Sequence, residues 1–431
     1  MNKVIIIFLF LISTMSVNAQ NRFADNGNGT ITDTSTGLMW QQDPGEKVTW
    51  EEALANADTL TLGGYDDWRV PTITELYSLM DFNGVTGMNV SGSVPYIDTD
   101  YFVFEYGNEA AGERMIDAQY WSSTEYVSTT MDNQRTVFGV NFADGRIKGY
   151  SIISLRGNAP MQNFVRYVRG SSTYGTSQFV NNGNGTIADS ITGLTWMQND
   201  SGVGMDWVEA VNWCEQSTLA GFDDWRLPDA QELQYLVDYS RSPDTTNSAA
   251  INPIFNTTSI IDEGGNVNYA FYWTSTSHMD GPDPDLYAVY IAFGEALGYM
   301  NGQLMDVHGA GAQRSDPKTG SASAYPEGHG PQGDVVRIDN YVRCVRGGVA
   351  DPIIVTTSNG QSQAQPQGSS QPPINQTSTQ PQPPQEAINA CAGQQQGSTC
   401  SFNTPQGTIN GTCAPVQNQQ MACLPPHPPG Q

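Results

Sequence analysis

The sequence predicts an α+β protein: two tandem copies of one domain with mostly antiparallel sheets, then a disordered linker and a small disulfide-rich tail. Three observations lead there. First, Gly64-Tyr65-Asp66-Asp67-Trp68-Arg69-Val70-Pro71 returns as Gly221-Phe222-Asp223-Asp224-Trp225-Arg226-Leu227-Pro228. Second, other blocks recur in the same order: Asn26 to Ile31 as Asn182 to Ile187, Thr36 to Trp40 as Thr192 to Trp196, Tyr120 to Thr124 as Tyr272 to Thr276, and Val165 to Gly170 as Val342 to Gly347. A repeated unit of about 150 residues is a globular domain able to bury its own core, not a solenoid repeat. Third, Cys391, Cys400, Cys413 and Cys423 crowd one short C-terminal segment.

The chain opens with Lys3, an apolar run from Val4 to Met15 and the small-residue pattern Val17-Asn18-Ala19, which reads as a signal peptide over residues 1–19. The mature protein is therefore expected to be exported, to the periplasm, the cell surface or the medium, where disulfides persist. Copy one then occupies 20–171 and copy two 177–348. In each, Asn-Gly-Asn-Gly supplies the positive φ angles of a hairpin turn between two short strands, Arg22 to Ala24 and Thr30 to Thr32 in copy one. A first helix follows: Thr49 and Glu52 form a capping box, with Trp50, Ala53, Leu54 and Ala57 on one face. In copy two Asp206 caps, Glu209 stands at N3, and Trp207, Ala210, Val211 and Cys214 make the stripe. The second helix starts after the Trp-Arg-x-Pro block, at Thr72 and Glu75 or at Asp229 and Glu232, and buries Leu76, Leu79 and Met80 or Leu233, Leu236 and Val237. Short strands such as Val140 to Phe142 and Val289 to Ile291 precede the closing Val-Arg-x-Val-Arg strand. Residues 349–388, rich in Gln, Pro, Ser and Thr, cannot bury enough apolar surface to fold and read as a disordered linker. The four-cysteine segment 389–424 is too small for an adequate core without disulfides, and its pairing is open.

A formal net charge of −26 argues against nucleic acid or another polyanion as partner. No later segment is long and apolar enough to span a membrane.

Four features could carry chemistry. Aligning the copies sets Cys214 opposite Ala57 and Cys344 opposite Tyr167, so both cysteines occur together in copy two and neither in copy one. That pattern predicts a disulfide from first helix to last strand, constraining the unfolded chain by about 4 kcal/mol. Asp66-Asp67 and Asp223-Asp224 look like paired carboxylates, but neighbours in an extended segment point to opposite faces. Arg69 and Arg226 read instead as forks tying a loop to carbonyls or carboxylates, with Trp68 and Trp225 as core anchors. Asp25 to Gly29 with Asp33 has the look of a calcium loop, yet Asn181 replaces Asp25 in copy two, and turn chemistry explains the residues; no cofactor is expected. Finally, Met300 to Asp334 reads as a long loop without periodicity, and its Asp306, His308, Arg314, Asp316, Lys318 and His329 form a candidate ligand site.

Together, the Asn-Gly-Asn-Gly-Thr-Ile hairpin, the Thr-Gly-Leu-x-Trp strand, the Asp-Trp-Arg-[Val/Leu]-Pro-x-x-x-Glu-Leu block, the Tyr-Trp-[Ser/Thr]-Ser-Thr strand and the closing strand resemble the Legionella collagen-like protein C-terminal domain family. The resemblance covers both copies, about Arg22 to Gly347, and leaves out the linker and tail. It implies a C-type lectin-like fold, in which a helix-to-last-strand disulfide is common, and a role in adhesion. The family's founding adhesin binds sulfated glycosaminoglycans, which the acidity of this chain disfavours; the Glu-Pro-Asn and Trp-Asn-Asp signatures of calcium-dependent sugar binding are missing. The sequence thus reads as an exported non-catalytic binding or adhesion protein recognising a surface glycan or protein. A structural, envelope-associated interaction module is the second reading, and a carbohydrate-active enzyme the third.

Overall fold

The computed structural model describes residues 21–347 apart from 132, 155–156, 172 and 282–285, and, in the C-terminal segment, 390–391, 394, 398–404, 407–415 and 421–424. The expected signal peptide and linker lie outside these residues. Among the described residues no helix is long and apolar enough to cross a membrane.

Copy one begins with strands β1 (Phe23–Asp25), β2 (Thr30–Asp33), β3 (Met39–Gln41) and β4 (Val48–Thr49), then helices α1 (Trp50–Ala57) and α2 (Ile73–Tyr77). It continues with β5 (Gln119–Thr130), β6 (Gln134–Asn141), β7 (Arg146–Ser151), β8 (Gln162–Asn163) and β9 (Val168–Arg169). Copy two repeats the order with β10 (Phe179–Asn181), β11 (Thr186–Asp189), β12 (Thr195–Met197), α3 (Trp207–Glu215) and α4 (Ala230–Gln234). There follow α5 (Pro243–Thr246), β13 (Ser259–Ile261), β14 (Val267–Tyr269), β15 (Phe271–His278), β16 (Tyr287–Ala292), β17 (Leu297–Met300), β18 (Gln303–Asp306), β19 (Gln313–Pro317) and β20 (Val345–Arg346). The tail carries β21 (Thr399–Thr404), β22 (Gly407–Pro415) and β23 (Met421–Leu424) in one antiparallel sheet, with Cys391 bonded to Cys413 and Cys400 also disulfide-bonded.

Local chemistry sets the helices. Thr49 and Glu52, Thr72 and Glu75, and Asp229 and Glu232 form reciprocal capping boxes, which satisfy amides that a helix start leaves bare. Asp206 caps α3 without the reciprocal bond from Glu209. Trp50, Ala53 and Ala57 are buried, whereas Leu54, expected on the same face, is exposed. The Asn-Gly-Asn-Gly turns place Gly27, Gly29, Gly183 and Gly185 at positive φ, so β1 and β10 fold back on β2 and β11. In each copy the first and last strands share a four-stranded sheet, ordered β1-β2-β3-β9 and β10-β11-β12-β20. The Cys214–Cys344 disulfide ties α3 to the residue before β20, and in copy one the Tyr167 hydroxyl donates to the Ala53 carbonyl of α1 at 3.1 Å.

The second sheet belongs to both copies. Its order is β15-β16-β19-β7-β6-β5, three strands from each copy, meeting where β19 pairs with β7. The order reads alike from both ends, so the copies are related by a pseudo-twofold axis between these two strands. The apolar core crosses the junction: Ala230, Ala250, Val289 and Ala310 of copy two pack with Tyr126, Phe138 and Ile147 of copy one.

Candidate ligand site at the junction of the copies

The repeated Asp-Asp-Trp-Arg block is a fastener. Trp68 and Trp225 are buried, their indole N–H groups donating to the carbonyls of Leu62 and Leu219 at 3.2 and 3.1 Å. Arg69 grips both oxygens of buried Glu75 at 2.6 and 2.5 Å, and Arg226 grips Glu232 at 2.7 and 2.6 Å. Asp67 receives Arg169, and Asp224 receives Arg346, so the second aspartate of each pair holds the final strand. Asp66 and Asp223 are exposed. The two carboxylates of a pair therefore serve separate ends.

The turn residues considered for calcium are occupied locally. Asp25 accepts the Gly27 amide, while Asp33 accepts Arg22 and Ser35. Among the described residues, the one group of three ligand-type side chains close enough to share a metal ion is Cys391, Cys400 and Cys413, which are disulfide-bonded.

The segment from Met300 to Asp334, expected as a loop, contains β18 and β19. Its periodicity is absent because β19 (Gln-Arg-Ser-Asp-Pro) buries ionic side chains against partners remote in sequence. Asp306 accepts the Tyr126 hydroxyl of copy one at 3.1 Å. Burial lifts its pKa to about 7 despite bonds from the Gly309 and His308 amides and from Tyr126. Beside it, burial and the charges of Asp306 and Asp244 raise Glu295 to about 8. His308 bonds Asp334 at 2.9 Å, and Asp334 also pairs with Arg314. Asp316 accepts the Arg337 amide at 3.0 Å, and burial lifts its carboxyl to about 7. Lys318 donates to Ser277 at 2.7 Å and lies over the Trp207 ring, whereas exposed His329 stacks on Tyr287. These six side chains thus divide among separate contacts.

Residues outside that list complete the junction. On β7, Arg146 pairs with Asp144 at 3.3 Å and with Asp280 of copy two, while Lys148 meets Asp144 at 2.7 Å. Burial opposes ionisation of Asp144, but Lys148 and Arg146 bring its pKa down to about 2. His278 bonds Ser315 and the Asp144 carbonyl; burial, with Arg146 nearby, lowers it to about 3, so it is neutral. Gly-Arg-Ile-Lys in copy one gives no local signal of this role, because its partners lie in the other copy.

Above this joint opens a cleft of about 900 Å³. Copy one contributes Asn21, Arg22, Phe82, Asn83, Tyr101 and the carboxylates Asp81, Asp98 and Asp100; copy two contributes Asp229, Gln231, Ser275, Thr276, Ser277 and Met279. The Gln231 amide spans the junction to the Met80 carbonyl at 3.0 Å. Amides, hydroxyls and carboxylates beside aromatic rings form a surface suited to holding a polar ligand.

Two small α+β domains thus share one sheet, with a polar cleft lined by both at their seam. The chain belongs to the Lcl C-terminal domain family, whose model matches residues 29–169 and 185–308, once in each copy. The second match ends before β19, where copy two carries its long insertions. No curated protein and no solved structure matches the chain.

Proposed function

We propose that this is an exported, non-catalytic binding or adhesion protein with lectin-like domains, whose ligand, a glycan or protein on a cell surface, enters the cleft between the copies. The observation that supports the reading most is the cleft's dual ownership: both copies line it, so the ligand surface exists only in the duplicated chain. Membership of a family of surface-binding domains points the same way, as does the helix-to-last-strand disulfide, a feature of lectin-like folds. Planar amides and carboxylates beside Tyr101 and Phe82 offer hydrogen bonds and ring faces together.

The test is binding of the full-length exported protein to glycan arrays and to displayed peptides, alongside a Gln231→Trp variant that narrows the cleft. Ligand retained by the wild type and lost by the variant, with unchanged melting temperature, supports the reading. Equal retention by both proteins removes the cleft from the account, and silence on both arrays favours a purely structural role.

A further inference from the structure

One face of the shared sheet, over the joint between β7 and β19, buries cations on both sides of the copy boundary. Gln313 stands opposite Ile147, so antiparallel pairing sets Arg314 of copy two opposite Arg146 of copy one. Alternation along β7 brings Lys148 and Tyr150 to that same face. Like charges directly across a strand pair repel, and here they are out of water: Arg146 is 8%, Lys148 7% and Arg314 5% exposed. Burial, reinforced by the charge of Arg146, lowers the Arg314 guanidinium to about 10. Burial also lowers Lys148 to about 8, with Arg314 and Arg146 working against the pull of Asp144.

Three carboxylates answer these three cations. Asp144 holds Lys148 and Arg146, Asp280 holds Arg146 from the more exposed side, and Asp334 holds Arg314 and His308. The charges match, but the hydrogen bonds do not. Nε of Arg146, Nε and Nη1 of Arg314 and the Tyr150 hydroxyl are buried without a protein partner. The acceptors left over in this group, the Arg314-paired oxygen of Asp334 aside, are one oxygen of Asp144 and Nδ1 of His308, whose Nε2 donates to Asp334. A buried donor left unmade costs its full desolvation, so the surplus of donors calls for a ligand that only accepts. We infer that the joint binds a small monovalent anion, a halide, between Arg146 and Arg314, where it accepts from their remaining N–H groups and from the Tyr150 hydroxyl. A single negative charge there relieves the repulsion between the two guanidinium groups, and the burial of the lining admits only a small ion. Water fits less well, because it brings two donors to a place short of acceptors. The ion takes its ligands from both copies, so it belongs to the joint and is independent of whatever enters the cleft.

The experiment follows the melting temperature of the full-length protein while sodium chloride or sodium bromide replaces sodium gluconate at constant ionic strength. The expected result is a saturable rise of about 3 °C with either halide, and an anomalous-scattering peak between Arg146 and Arg314 in crystals grown with bromide. Tyr150→Phe keeps the ring and removes a hydroxyl that bonds nothing else in the protein, so the variant should fold. It should need about tenfold more halide for half of the rise, the loss of one hydrogen bond to a charged ligand. Equal melting in gluconate and halide overturns the inference, as does a bromide crystal without that peak. A halide effect that Tyr150→Phe leaves unchanged places the ion elsewhere and overturns it too.

Discussion

The side-chain oxygen of Gln313 accepts a hydrogen bond from the Ile147 backbone amide at 3.2 Å, and the same two residues are the register pair at which copy two joins copy one. Both are fully buried. The joint is narrow along the backbone, so side chains flanking it, apolar and charged alike, carry much of the attachment.

Arg146 is the most exposed to test of these. It is buried between Asp144 and Asp280, and removing one member of a buried ionic group leaves the others uncompensated. Arg146→Met is expected to cost about 3 kcal/mol in urea unfolding. An Arg146→Met/Asp280→Leu double variant recovers part of that loss; no recovery would show that the pair is not coupled.

Stability is expected to fall as pH rises from about 5 to 8. Asp306 and Glu295 have carboxyls raised to about 7 and about 8, chiefly by burial, so the folded state binds protons that the unfolded state has released. Their contribution is favourable while they stay protonated and is lost as pH climbs through those values. Asp306→Asn should flatten this limb and raise stability at pH 8 by about 2 kcal/mol, allowing for solvent screening. Melting temperatures across the range decide it; an unchanged slope would contradict the assignment.

The Cys214–Cys344 bridge spans 130 residues of sequence. Replacing both cysteines with alanine is expected to lower stability by about 4 kcal/mol, read from chemical denaturation with and without reductant. Tyr167→Phe, which deletes the matching hydrogen bond to α1 in copy one, should cost about 1 kcal/mol.

Within the fastener the two acidic positions should behave differently. Glu75→Gln breaks the grip of Arg69 on a buried carboxylate and is expected to cost about 2 kcal/mol. Asp66→Asn, at an exposed position, should leave the melting temperature unchanged. Loss of ligand binding in Asp66→Asn alone would revive a functional carboxylate there.

Much of each copy was legible because its signals are local. A capping box needs residues three apart, a Gly hairpin needs adjacent ones, and the disulfide could be read by comparing the copies. What escaped is what depends on the other copy. β19 looked like loop because Arg314 and Asp316 are charged, and only their burial makes a strand of them. Arg146 and Lys148 look like ordinary surface cations on an exposed strand. The cleft, drawing Asp81 and Gln231 from opposite copies, has no sequence signature at all.

The shared sheet has one more effect. Separated from each other, β7 and β19 would each present an unpaired strand edge, the kind of surface on which chains add to one another without limit. Covalent linkage keeps the matching edge at a high local concentration, so each edge is capped by its own chain before a neighbour arrives. The duplication thus covers these two inner edges, leaving β5 and β15 at the ends of the sheet: a half-molecule cut in the connector should pair with itself through the bared strand or precipitate.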